Sequence, residues 1–173
     1  MASAYDESIL RSLRRITRAI DLYSKQLASR YQLTGPQLVC LRTLSQLGEI
    51  TPSQLATQIC LSQATVSGIL DRLERRKLVT RERDPSDKRR VNLQLTEEGK
   101  GLVESAPAPL HQRFAERLSK LPLEQQAEID QILQRIVGMM EADELDASPI
   151  LSAGPISAEP TDVTEFLDPG PKD

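Results

Sequence analysis

The sequence predicts a mainly α fold with a small β-wing, a winged helix-turn-helix. Three observations predict it. Two short helical patterns lie either side of a turn between Thr51 and Lys77. Two runs of alternating apolar and polar residues follow, with turn residues and a cluster of cations between them. Longer amphipathic helical patterns flank this unit on both sides.

The first helix is expected over residues 6–31. Ile9, Leu13, Ile16, Ile20, Tyr23 and Leu27 alternate steps of four and three, a seam able to pack on its own domain or on a partner helix. A second helix over residues 35–47 carries Leu38, Leu41, Leu44 and Leu47 as core and ends at Gly48. Ile50 is expected to make a short third strand of the wing sheet. Thr51-Pro52 then reads as a helix start: a threonine N-cap followed by proline at N1, where the missing N–H costs nothing. Leu55, Ala56 and Ile59 give that helix its apolar face, and Cys60-Leu61 breaks it.

Ser62 caps the next helix. Val66, Ile69, Leu70 and Leu73 share one face of it, which leaves Gln63, Ala64, Thr65, Ser67 and Gly68 pointing away. Small side chains permit close approach to a major groove, and Gln63, Thr65 and Ser67 can hydrogen-bond base edges. Leu78-Val79-Thr80 and residues 91–95 alternate like strands around a turn at Asp84-Pro85-Ser86-Asp87. A hairpin with Lys88, Arg89 and Arg90 beside its tip is a wing able to reach a minor groove. Thr96 caps a further helix, expected to break around Ala106 because Pro107 and Pro109 each remove a backbone donor and clash with the preceding turn. Pro122 starts a last helix with Ile129, Ile132, Leu133, Ile136, Val137, Met139 and Met140 on a broad apolar face. From residue 143 to 173, Pro, Ser, Ala, Gly and acids dominate, so an extended or disordered tail is expected, with Ile150-Leu151 and Phe166-Leu167 as small apolar clusters able to dock.

The net charge of −3 looks wrong for a nucleic-acid binder until it is divided. Residues 141–173 carry −8 and residues 1–140 carry +5, of which +4 falls between Asp71 and Arg90. One histidine, no phosphate-loop motif and no dinucleotide fingerprint leave little from which to build an enzyme. Two cysteines without CxxC spacing suggest neither a zinc site nor a disulfide framework, and neither metal nor cofactor is expected. The absence of a membrane-length apolar run and of a hydrophobic leader points to the cytoplasm.

The stretches LTGPQLVCLRTL, TPSQLA, LSQATVSGILDRLERRKLVTR and RDPSDKRRVNLQLTEEG resemble the MarR family of bacterial transcription regulators, closely over residues 33–99. The most specific part is D-x-x-D-K-R-R followed by L-T-E-x-G. The resemblance implies a homodimer held by a helical dimerisation region, from residues 6–31 and 100–142, which presents the DNA-binding domain to an inverted-repeat operator. It places major-groove contacts on Gln63, Ala64, Thr65, Ser67 and Gly68, with Ser62 both N-cap and phosphate contact. It places the minor-groove arginine at Arg89, oriented by Asp87, with Lys88 and Arg90 as phosphate candidates. Arg72, Arg75 and Arg76 are further phosphate candidates, although Arg72 can instead pair with Asp71 or Glu74.

Lys77 stands where the family usually has glycine, so the helix is expected to lack its left-handed terminal residue. The family also implies a small-molecule effector in a cleft that Arg14, Arg15, Tyr23, Arg42 and His111 are placed to line. The tail faintly resembles the branch that represses compatible-solute (ectoine) genes. Two alternatives stay open: a helical interaction module or anti-repressor, against which the basic wing argues, and thiol sensing through Cys40 or Cys60.

Overall fold

The computed structural model describes residues 5–83, 90–143 and 150–151. Among the described residues, seven helices and two strands follow in chain order: α1 Asp6–Tyr31, α2 Gly35–Leu47, α3 Pro52–Gln58, α4 Gln63–Arg75, β1 Val79–Arg83, β2 Val91–Leu95, α5 Glu97–Ser105, α6 Leu110–Leu118 and α7 Leu123–Met139. None of the described helices is long and apolar enough to cross a membrane.

Local chemistry accounts for the element boundaries. Thr51 caps α3 reciprocally: the Gln54 N–H donates to its Oγ1 at 3.3 Å, and its own N–H donates to Gln54 Oε1 at 2.9 Å. Thr34 and Gln37 repeat the device at the start of α2. Ser62 accepts the Thr65 N–H at 3.1 Å to open α4, and Thr96 accepts the Gly99 N–H at 3.0 Å to open α5. Helix α5 stops at Ser105 and Ala106 turns extended, as the residue before a proline must.

The core is built where α2, α3, α4 and the wing strands meet. Leu38, Leu41, Leu55, Leu70, Leu73 and Leu93 are all completely buried, and from α1 only Tyr23 and Leu27 join them. The strands pair antiparallel from Val79 opposite Leu95 to Arg83 opposite Val91, so β1 starts one residue later than the Leu78 expected from alternation. Ile50 contributes a single bridge, its carbonyl accepting from the Leu93 N–H at 2.8 Å, rather than a strand. Gly99 packs so tightly that a Cβ there would stand 2.2 Å from the Leu78 carbonyl oxygen. That contact gives the glycine of L-T-E-x-G a steric reason.

One expectation is corrected at the end of α4. Lys77 does adopt the left-handed conformation, at φ 57°, and the Leu78 N–H still reaches back to the Leu73 carbonyl at 3.0 Å. The terminating motif therefore forms with a side chain that disfavours it, because the wing must turn away from α4 at this residue. Lys77→Gly should raise stability by about 1 kcal/mol, read as an increase in the urea midpoint with unchanged m-value. An unchanged or lower midpoint would show that the lysine side chain compensates for its backbone.

Candidate nucleic-acid interface and the adjoining cavity

Helix α4 is divided cleanly. Val66, Ile69, Leu70 and Leu73 are buried, while Gln63, Ala64 and Ser67 are exposed and Thr65 and Gly68 half-buried. Nothing lies within 4 Å of where a Gly68 Cβ would be, and its φ is not positive. Among the described residues, neither packing nor backbone geometry requires a glycine there. The start of the outer face of α4 is thus kept small without a packing reason among those residues.

The cations around α4 separate into different tasks. Arg72 was expected as a phosphate candidate, with pairing to Asp71 or Glu74 as the alternative; Arg81 of β1 takes both carboxylates, at 2.6 Å and 3.3 Å. Arg72 stays exposed and has no ion pair among the described residues. Arg75 is also exposed, its Nε donating to the Asp71 carbonyl at 3.2 Å. Arg76 is the correction among the phosphate candidates. Its guanidinium donates to the carbonyls of Tyr31, at 3.2 Å, and of Gln32, closing the C-terminus of α1. Arg83 and Arg90 are exposed at the stem of the wing. Asp87, Lys88 and Arg89, with the turn at 84–87, lie outside the described residues.

Beside this surface is a cavity of about 410 Å³, walled by α2, the α3–α4 turn and α6. Val39, Ile59, Pro109 and Ala115 give it apolar sides, and Arg42, His111 and Cys60 give it chemistry. Arg42 donates through Nη2 to the Ala106 carbonyl at 2.9 Å, which fixes the guanidinium against the α5–α6 break. Its Nε and the Nδ1 of His111 are shielded from solvent and have no hydrogen-bond partner. Burial lowers the His111 pKa below its ordinary value, favouring the neutral ring. A cationic side chain and an imidazole on one partly apolar cavity suit a small organic anion.

Of the residues expected to line such a cleft, the structure brings Arg42 and His111 together and separates the others. Arg14 is on the exposed surface of α1, bonded to Glu7 at 2.9 Å, and Arg15 is exposed as well. Tyr23 is buried with its hydroxyl donating to the Ala108 carbonyl at 3.1 Å, and burial raises its pKa against the opposing pull of Arg42 and Arg113. Cys40 is fully buried and its thiol is pushed up to about 12, so it is no thiolate at neutral pH. Cys60 is exposed.

Residues 33–91 match the model of the MarR family. That stretch, the helix-turn-helix and wing, is what the chain shares with the MarR family. It is 33% identical over 96 residues to the uncharacterized HTH-type transcriptional regulator YsmB of Bacillus subtilis, covering 56% of this chain and 66% of that protein. It is 38% identical over 81 residues to the HTH-type transcriptional repressor NicR of Pseudomonas putida, covering 47% of this chain and 51% of the relative. The chain thus spans about half to two thirds of the length of these curated relatives. Among solved structures, the PcaV transcriptional regulator of Streptomyces coelicolor in complex with its natural ligand superposes with a TM-score of 0.52. The sequences are 25% identical there, and the match covers 80% of this chain and 97% of PcaV.

The residue that sequence reasoning missed is Arg81, which ties the wing to α4. A signal was present, since Asp71 and Glu74 lie one helical turn apart and call for a cation from outside the helix. Arg81→Met should unclamp the wing from α4 while the core stays folded. The expected readout is faster amide exchange in β1 with a loss of global stability of only about 1 kcal/mol or less, since the pair is partly exposed. Unchanged β1 exchange would show that strand pairing alone holds the wing.

Proposed function

We propose that this chain is a homodimeric, DNA-binding transcription regulator. In this reading it is a repressor of a pseudo-palindromic operator, released when a small organic anion occupies the Arg42–His111 cavity. The observation that carries the reading is the outer face of α4: small and amide residues beside exposed cations, with a mid-helix glycine that nothing among the described residues requires. Gln63, Thr65 and Ser67 read base edges, and Ser62 and the N-terminus of α4 meet a phosphate. Arg72, Arg75, Arg83 and Arg90 meet the backbone, and Lys88 and Arg89 extend the wing, with Asp87 orienting Arg89. NicR is named a repressor, and the PcaV structure holds its natural ligand. Both names favour the same assignment here.

The dimer is supported by apolar surface that the chain does not cover by itself. No residue of α6 or α7 is buried, and Ile9, Ile16, Phe114, Ile132 and Leu133 are between 43% and 54% exposed. Exposed apolar area on this scale marks an interface. A dimer through α1, α6 and α7 would hold two α4 helices about one DNA turn, roughly 34 Å, apart. Function in the cytoplasm and control of compatible-solute genes belong to the same proposal.

Selection of the tightest binders from randomised duplex DNA should enrich an inverted repeat with half-sites about one turn apart. Arg72→Ala or Arg90→Ala should weaken all sequences and lower the salt slope by about one unit each, while Gln63→Ala should relax preference at one base position. Recovery of no repeat, with salt-sensitive binding to any duplex, would refute the operator reading. The position of the selected repeat on a chromosome then tests the compatible-solute assignment.

Gly68→Ala separates stability from recognition. The added methyl should stabilise the helix by about 0.5–1 kcal/mol, seen as a higher melting temperature, and yet weaken operator binding by obstructing the groove. Equal DNA affinity would remove Gly68 from the contact surface.

A further inference from the structure

We infer that Ile150 caps the Arg42–His111 cavity and so is part of the ligand-sensing apparatus; this rests on the reading of that cavity as a ligand site. Helix α7 ends at Met139 without a single buried residue, yet Ile150 is only 4% exposed. Its neighbour Leu151 is 39% exposed, so the burial is specific to one side chain. Ile150 is absent from the continuous core formed by α2, α3, α4 and the strands, and its place is in the cavity wall with Arg42, Cys60 and His111.

A space of about 410 Å³ remains with Ile150 in position. That is enough for a small aromatic acid, so Ile150 encloses a ligand rather than competing with it. It supplies apolar cover and no side-chain hydrogen-bond acceptor. The polar side of the wall is left to Arg42 and His111, which are the side chains placed to meet a ligand's carboxylate. By linkage, a ligand held under the cap strengthens docking of the cap itself.

The test uses the full chain, Ile150→Ser, the milder Ile150→Ala and the control Leu151→Ser. The probe is 2-naphthoate, whose fluorescence is unobscured because the chain has no tryptophan. Ile150→Ser is expected to bind naphthoate about ten-fold more weakly through faster dissociation. Ile150→Ala should show a smaller effect of the same sign, and Leu151→Ser none.

A second readout needs no ligand. His111 is the only histidine, and Arg42 and Cys60 are the other ionisable groups of the cavity wall. Its NMR titration midpoint, held down by burial, should rise toward the ordinary histidine value in Ile150→Ser. Equal naphthoate affinity with an unmoved His111 titration would overturn the cap and leave the cavity reading standing. Tighter binding in Ile150→Ser would also overturn it, by making Ile150 a competitor. A moved His111 titration without naphthoate binding to any variant would support the cap and count against the organic-anion reading.

Discussion

Burial of one face of α4 is the constraint on which the rest of this molecule depends. Val66, Ile69, Leu70 and Leu73 all enter the same apolar core, so the rotation of the helix about its own axis is fixed. A buried aliphatic side chain contributes about 1.5–3 kcal/mol, and turning α4 to hide its polar face would forfeit several such contributions together. The wing, the α3–α4 turn and the Arg81 clamp then have a fixed object to work against. Because the inner face is so strongly determined, the outer one is free to be specified by what it meets outside the chain.

Much of this was legible in the sequence because it rests on local chemistry. N-caps at Thr51, Ser62 and Thr96, the proline break at Ala106 and the period of the apolar residues in α4 are all decided within a few positions. The misreadings arose where a distant partner decides the outcome. Arg76 is positioned like a phosphate contact on α4, but the open carbonyls at the end of α1 claim it. Arg81 was not foreseen as the partner of Asp71 and Glu74, because it comes from a strand rather than from the same helix. Lys77 violates a backbone preference because the chain must turn there, and a sequence pattern registers the violation but not the need.

The cavity teaches the same lesson from the other side. Arg42 and His111 are far apart in sequence and become neighbours only because the chain breaks between α5 and α6, which lets α6 return toward α2. Pro107 and Pro109 announced the break, but nothing in their spacing announced what it would bring together. Ile150 was legible only as an apolar residue in a polar tail able to dock; its destination required the fold.

The guanidinium of Arg76 has a mechanical consequence. It follows the last turn of α4 directly, and it grips the carbonyls at the end of α1, the helix whose exposed apolar stripe is proposed to hold the dimer together. A tilt of α1 against its partner would therefore act on α4 through a short rigid strut rather than through compressible side-chain packing. The wing leaves α4 at the next residue, so the strut ends at the joint between α4 and the wing. In the proposed dimer, the angle between two subunits and the pitch at which each presents α4 would be geared together at that joint.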